Sequence, residues 1–189
     1  MRILGIDEVG RGSIAGPLVV CGCVLKEGFE DQRIVDSKKI SERIRMALSS
    51  IIKSNSEYFS FGVICNEVID KINILRATKQ AMHIVIGNIP KVYDKIVADA
   101  VSLKNLNLPF EHPFKAEDKF QVVAAASILA KVYRDELMKK LHIHFPEYNW
   151  YKNKGYGTKE HFEAIKRYGL TPLHRKTFIP QEILRTALV

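Results

Sequence analysis

Gly5-Ile6-Asp7-Glu8-Val9-Gly10-Arg11-Gly12-Ser13-Ile14-Ala15-Gly16-Pro17 is the stretch from which the rest of the chain is read. Upstream, Arg2 to Ile6 reads as a short strand; downstream, Leu18 to Leu25 is a nearly continuous apolar run. Two adjacent carboxylates therefore stand at the end of a core strand, in a segment punctuated by four glycines. Carboxylates avoid such places unless something charged pairs with them. Side chains alternate along a strand, so Asp7 and Glu8 face opposite ways if the strand continues. A cation held against it could take the Asp7 side chain and reach Glu8 or its backbone carbonyl. Oxygen ligands of this kind suit a hard metal ion; a solvated turn after a strand would look the same on these two residues alone.

Two phosphate-binding patterns nearly fit and fail. Gly5-x4-Gly10 is followed by Arg11-Gly12, where a phosphate-cradling loop needs Lys and then Ser or Thr. Gly10-x-Gly12-x-x-Ala15 has dinucleotide-fold spacing, but that fingerprint must open a helix. Here the β-branched run Leu18–Leu25, with Gly22 inside it, argues for a second strand.

The 189 residues, 47% apolar and 26% charged, describe an ordinary globular chain. It is read as a single domain, with a core over about residues 1–141 and a basic, aromatic extension over about 142–189. The longest apolar stretch, Val122 to Ala130, falls far short of a membrane span, and acidic residues from Asp7 onward leave no visible secretory leader. Cys21, Cys23 and Cys65 are odd in number and lack metal-ligand spacing, which points to reduced thiols in the cytoplasm. The net charge is +8, and between Lys131 and Lys176 eleven basic residues face five acidic ones. Tyr133, Tyr148, Trp150, Tyr151, Tyr156 and Tyr168 are interleaved there, a composition suited to a nucleic-acid partner.

Ser41 caps a helix whose stripe is Ile44, Ala47, Leu48 and Ile51, and Tyr58–Cys65 reads as a third strand of a meander. Asn66–Ile72 and Ile74–Ile86 read as helices, the second stopped by a left-handed cap at Gly87 and by Pro90. Lys95–Ala100 is the fourth strand, carrying Asp99 near its end, and Phe114–Glu117 a short fifth. A long helix follows over about Lys119–Leu141, with Ala124, Ala125, Ala126, Ser127 and Ala130 as a small-residue face. Asp118 and Gln121 have capping-box spacing, leaving Glu117 at the junction. Tyr148–Thr158 is a basic aromatic loop, Lys159–Tyr168 a helix ended by Gly169, and Gln181–Val189 a last helix.

Asp7, Glu8, Asp99 and Glu117 are thus acids from separate segments at suspicious places. Brought to one sheet edge they would raise one another's pKa, a cost that one or two divalent cations reverse. Such a site suits phosphodiester hydrolysis.

Six ordered blocks of the sequence resemble those of the ribonuclease HII family: Asp7-Glu8-Val9-Gly10-Arg11-Gly12; Asp36-Ser37-Lys38-Lys39; Ala98-Asp99-Ala100; Lys115-Ala116-Glu117 with Ala125–Val132 and Arg134-Asp135; Lys154-Gly155-Tyr156-Gly157-Thr158 with His161; and Arg175-Lys176-Thr177-Phe178. The resemblance implies a ribonuclease H-like α/β fold: a central mixed five-stranded sheet flanked by helices, with a C-terminal helical extension. It also implies cleavage of RNA paired with DNA, dependent on Mg2+ or Mn2+, with Asp7, Glu8, Asp99 and Glu117 carrying the metals. Gly10, Arg11 and Gly12 would approach the ribose with Tyr156 stacked beside it, and Ser37, Lys38 and Lys39 would grip phosphate. The family usually has Asp where Glu117 stands; Glu resembles the related ribonuclease HIII, which leaves hybrid-only selectivity as an alternative and Asp118 as a fallback fourth acid. A non-catalytic hybrid-binding module is a second alternative. The protein is expected to be a monomer; a sliding-clamp partner is possible, but a clamp-binding tail is not evident after Pro180. Asp135 reads as a surface or salt-bridged acid, and His161 and His174 are given no catalytic role.

Overall fold

The computed structural model describes residues 1–99, 101–104 and 106–187. β1 (Ile3–Val9) and β2 (Leu18–Leu25) pair antiparallel, Gly5 opposite Cys23 and Val9 opposite Val19. β1 therefore runs on through Asp7 and Glu8 instead of ending at Ile6, because the ladder to β2 continues beside the acids. β3 (Ser56–Ile64) pairs antiparallel with β2 and completes the meander. β4 (Lys95–Ala98) lies parallel to β1, and β5 (Phe110–Glu111) parallel to β4. The sheet is five-stranded and mixed, in the order β3-β2-β1-β4-β5. The fifth strand is Phe110–Glu111, not Phe114–Glu117. Lys115 takes a left-handed conformation (φ 55) and Ala116–Asp118 curls into a 3-10 turn, which a strand cannot do. Ala100, expected within β4, lies outside the described residues.

The helices are α1 (Glu42–Asn55), α2 (Asn66–Ile72), α3 (Ile74–Asn88), α4 (Gln121–His142), α5 (Trp150–Asn153), α6 (Lys159–Tyr168) and α7 (Gln181–Ala187). Ser41 caps α1 as expected, its side chain accepting from the Ile44 amide. The buried face of α1 is instead Leu48, Ser49 and Ile52, with Ile44 47% exposed. Arg45, donating to the Ser37 and Ile40 carbonyls, takes the inward direction at that turn. Gly87 stays inside α3, which ends in extended backbone at Ile89 rather than in a left-handed cap. The expected loop Tyr148–Thr158 contains α5. Leu188 and Val189 lie outside the described residues.

β2 is buried on both faces. Leu18, Val20 and Val24 pack with Leu4, Ile6 and the α3 residues Ala77, Ala81, Met82 and Val85. Val19, Cys21 and Cys23 pack with Leu48 and Ile52 of α1 and Ala124–Ala126, Ile128 and Leu129 of α4. The small-residue face of α4 is therefore real and lies on the sheet. A third cluster, Ile14, Met138, Tyr148, Trp150, Ile165 and Ile179, ties the extension to α4 and to the segment after β1. Among the described residues no helix is long and apolar enough to cross a membrane.

Candidate functional site

Parallel pairing sets Ile6 of β1 opposite Ala98 of β4, so Asp7 and Asp99 follow next on neighbouring strands, at the same edge of the sheet. By strand parity Asp7 shares the α4 side with Gly5, which abuts Val122. There its carboxylate accepts a hydrogen bond from Ser127 and another from the Glu8 amide at 2.8 Å. The Ser127 hydroxyl lies 3.0 Å from that of Ser37, so a chain Ser37–Ser127–Asp7 fixes the acid's orientation. Glu8, on the opposite side, is paired with the Arg11 guanidinium at 3.0 Å. Asp99 accepts from the Ala116 amide at 3.1 Å, which fastens the end of β4 to the 3-10 turn carrying Glu117. The left-handed Lys115 just before that turn is backbone strain of the kind found at ligand sites.

The charges of these groups reach one another. Burial, and then the Glu8 charge, hold Asp7 (9% exposed) well above the usual carboxylate range, with Asp99 adding to the rise. Burial raises Glu8 against the opposing pull of Arg11, and burial followed by Asp99 raises Glu117. Lys38 faces the same patch: burial pulls its ammonium down, yet Asp36, Asp7, Glu117 and Asp99 together hold it up. Glu8 Oε2 and Glu117 Oε2 are buried without a hydrogen-bond partner among the described residues. Mutually repelling carboxylates with two orphaned oxygens are a donor set that a divalent cation would satisfy. Among the described residues no three acidic, His or Cys groups are already gathered at metal-binding spacing; the strand register brings the backbones together, not yet the side-chain oxygens.

Asp118 belongs to a different interaction. It pairs with Lys39 at 2.5 Å, and the N-cap of α4 is Phe120 with no side-chain cap, so Asp118 is not the helix cap its spacing suggested. A tertiary ion pair has won over the local one. Asp135 is buried and bound to Lys131 at 2.7 Å.

Beyond β1, Gly10 is buried at φ 88 while Arg11 and Gly12 are exposed. The Arg11 and Gly12 amides have no partner among the described residues, and a Cβ on Gly12 would meet only open space. Tyr156 is half-buried beside this loop, bridged to Ser13, with Lys131 Nζ 5.9 Å and Arg134 Cζ 5.5 Å from its ring centre. The structure thus groups Asp7, Glu8, Asp99, Glu117, Ser37 and Lys38, and sets Gly10, Arg11, Gly12 and Tyr156 next to them. Lys39 is turned to Asp118. A cavity of about 910 Å³ near Asn66, Asp70, His174 and Lys176 is lined by none of the four acids. Sequence reasoning missed the role of Ser127, seen only as a small residue, and of Arg134. The seven-residue spacing of these two, two helical turns, places both on one side of α4 and was the available signal.

A mixed five-stranded sheet, with acids at the carboxyl ends of neighbouring parallel strands and a long helix laid across it, is an α/β fold of the ribonuclease H type. The ribonuclease H2 of Pyrococcus horikoshii OT3 matches it with a TM-score of 0.82 at 24% identity, over 99% of this chain and 97% of that one. The RNase HII solved in complex with PCNA from Archaeoglobus fulgidus gives 0.80 at 24% over 96% of each chain, and Bst-RNase HIII in complex with Mn2+ gives 0.79 at 18% over 100% and 69%. The sequence profile of ribonuclease HII matches residues 4–181, and a ribonuclease HII of Oceanobacillus iheyensis is 46% identical over 178 residues, 94% of this chain and 68% of that protein. The chain belongs to the ribonuclease HII family, and so to the ribonuclease H hydrolases.

Proposed function

We propose that the protein is an endonuclease that hydrolyses the RNA strand of RNA–DNA hybrids and cuts on the 5′ side of single ribonucleotides in duplex DNA, leaving 5′-phosphate and 3′-hydroxyl ends. The observation that carries this reading is the acidic edge itself, with its raised carboxyls and the unpartnered oxygens of Glu8 and Glu117. Asp7, Glu8, Asp99 and Glu117 would hold Mg2+ or Mn2+, which when bound supplies an activated water and neutralises the leaving oxygen. Ser127 and Ser37 keep Asp7 aimed at the edge. The free Arg11 and Gly12 amides can meet the ribose, whose 2′-hydroxyl separates RNA from DNA, and Tyr156 can stack beside it. Lys38 bears on a phosphate from the other side, whereas Ser37, expected to grip it too, is buried with its hydroxyl against Ser127; Lys39 joins Lys38 by exchanging its exposed pair with Asp118, a bond worth little in water.

The protein acts as a monomer, one domain with residues 142–189 as its substrate-binding extension. Its three free thiols suit a reducing cytoplasm. An Archaeoglobus fulgidus relative binds PCNA; a sliding clamp on this chain would dock elsewhere than on Ile183 and Leu184, which already pack against the Trp150 cluster.

Cleavage of a DNA duplex carrying one ribonucleotide tests the reading. The wild type should cut it in Mg2+ or Mn2+ but not in EDTA, and Asp99→Asn should lose about 10³-fold, several kcal/mol of transition-state stabilisation, while still binding. Metal-independent cleavage, or an active Asp99→Asn, would overturn it. Glu117 favours one alternative, hybrid-only selectivity, and cleavage of a long hybrid alone would select that instead.

A further inference from the structure

Arg134 and Arg175 are 0% exposed, and neither forms an ion pair among the described residues. Arg134, from α4, donates through Nε to the Pro17 carbonyl (2.8 Å), through Nη2 to Ala15 (3.1 Å) and through Nη1 to Lys154 (2.8 Å). Arg175, just before the 3-10 turn Lys176–Phe178, donates through Nε to Gly16 (3.0 Å) and through Nη1 to Arg11 (3.1 Å). Four carbonyls of the segment 11–17 are therefore held by two guanidiniums from elements over 100 residues away in sequence. The same segment is stitched to the extension by bridges from Ser13 to Tyr156 and from Ala15 to His174.

Burying two cations near each other without an ion-paired carboxylate is costly, and burial, with Arg134 beside it, brings Arg175 down to about 9. Apolar packing would hold a loop without that cost. What the guanidiniums add is a rigid fork that takes several carbonyls at fixed angles. With the carbonyls of residues 11 and 15–17 drawn inward, the Arg11 and Gly12 amides are left without partners among the described residues. Gly10 fits this arrangement, since a Cβ there would lie 2.2 Å from Arg134 Nε.

We propose that Arg134 and Arg175 are positioning residues for ribonucleotide recognition, holding the 10–17 segment and Tyr156 in register with the acidic edge. This rests on the role given above to that segment. A long hybrid offers a ribose at every step and tolerates a displaced loop; a lone ribonucleotide does not.

The test compares kcat/KM on a one-ribonucleotide duplex and on a long hybrid for Arg134→Lys, Arg175→Lys and Gly16→Ala. An ammonium cannot span the carbonyls that a guanidinium does. Gly16→Ala keeps both charges but, at φ 79 with its Cβ 2.4 Å from Met138 Sδ, shifts the segment against a flexible side chain. Each variant should lose at least about 10-fold more on the one-ribonucleotide duplex than on the hybrid. In parallel, exchange of the hydrogen-bonded amides of residues 13–16 should quicken at least about 10-fold while β1 and β2 stay protected. An unchanged substrate ratio in Gly16→Ala and in whichever lysine variants fold overturns the proposal. If the wild type does not cut the one-ribonucleotide duplex, the functional reading fails, and the exchange result alone decides whether the arginines position the loop.

Discussion

Asp7 is buried against Ser127 with Glu8 next to it on the strand, and both carboxyls are raised by that burial. Taking away one of the repelling charges while keeping the shape should therefore stabilise the metal-free protein. Asp7→Asn is expected to raise Tm in EDTA by about 2–6 °C, from roughly 1–2 kcal/mol of relieved desolvation and repulsion, while abolishing cleavage. Mg2+ should raise the Tm of the wild type but not of the variant; a lower Tm for the variant in EDTA would show that Asp7 is a structural acid. Tyr156→Ala removes a stacking surface worth about 1–3 kcal/mol per base and should cost about 10-fold more on a single ribonucleotide than on a long hybrid. Equal loss on both substrates counts against its assignment. That Asp7 and Asp99 lie at one edge of the sheet was legible in the sequence because each follows a run of apolar residues that excludes water, where a charge needs a reason. Asp118 misled because capping-box spacing is a local pattern, and nothing local announces Lys39, which is distant in sequence and adjacent in the fold.

The pairing of α4 with β1 sets the position of Ser127 over Asp7, and it depends on the missing side chain at residue 5. A Cβ on Gly5 would sit 2.6 Å from the Val122 carbonyl carbon and oxygen, which are backbone and cannot step aside. Gly5→Ala should destabilise by about 2–3 kcal/mol through overpacking and weaken metal-dependent cleavage by moving α4. Gly87→Ala, with helical backbone and open space around it, should instead gain about 0.5–1 kcal/mol. Chemical denaturation of both variants checks the pair; a neutral Gly5→Ala would mean that α4 is free to shift. At this scale the sequence carried a great deal. α2 and α6 and strand β2 fall where periodicity and their end signals put them, because each is specified by its own residues. The fifth strand was misplaced because two residues are too short to show a pattern and Lys115 adopts a conformation that its side chain does not favour. The face of α1 was rotated because Arg45 bonds to carbonyls outside its own helix.

Across the whole molecule, the extension is fastened by a buried aromatic cluster whose two histidines are held neutral. Trp150 Nε1 donates to His161 Nε2 at 3.0 Å, so the His161 proton sits on Nδ1, facing the Tyr156 carbonyl at 2.9 Å. His174 Nδ1 accepts from the Thr171 amide at 2.9 Å, which leaves its proton on Nε2, directed at His161 Nε2 at 3.1 Å. A second proton on either ring would face a donor. Burial, with His161 beside it, brings His174 down to about 3, and burial lowers His161 as well. The unfolded chain takes up these protons near the ordinary histidine value of 6.5; in the folded chain His161 takes its proton below that value and His174 only near 3. The stability they contribute is therefore complete above about 6.5 and drains away as the pH falls toward 3. At pH 5 the loss from His174 is about 2 kcal/mol, or roughly 4–8 °C in Tm for a chain of this size. Asp7 and Glu8, with raised carboxyls, push the other way in the metal-free protein, so the histidine contribution is read as a difference between proteins. The fall in Tm from pH 7.5 to 5.0 should be smaller by about 4–8 °C in His174→Gln than in the wild type, whatever the absolute Tm of the variant. An equal fall in both would mean that the histidines titrate normally and that the extension is fastened by packing alone.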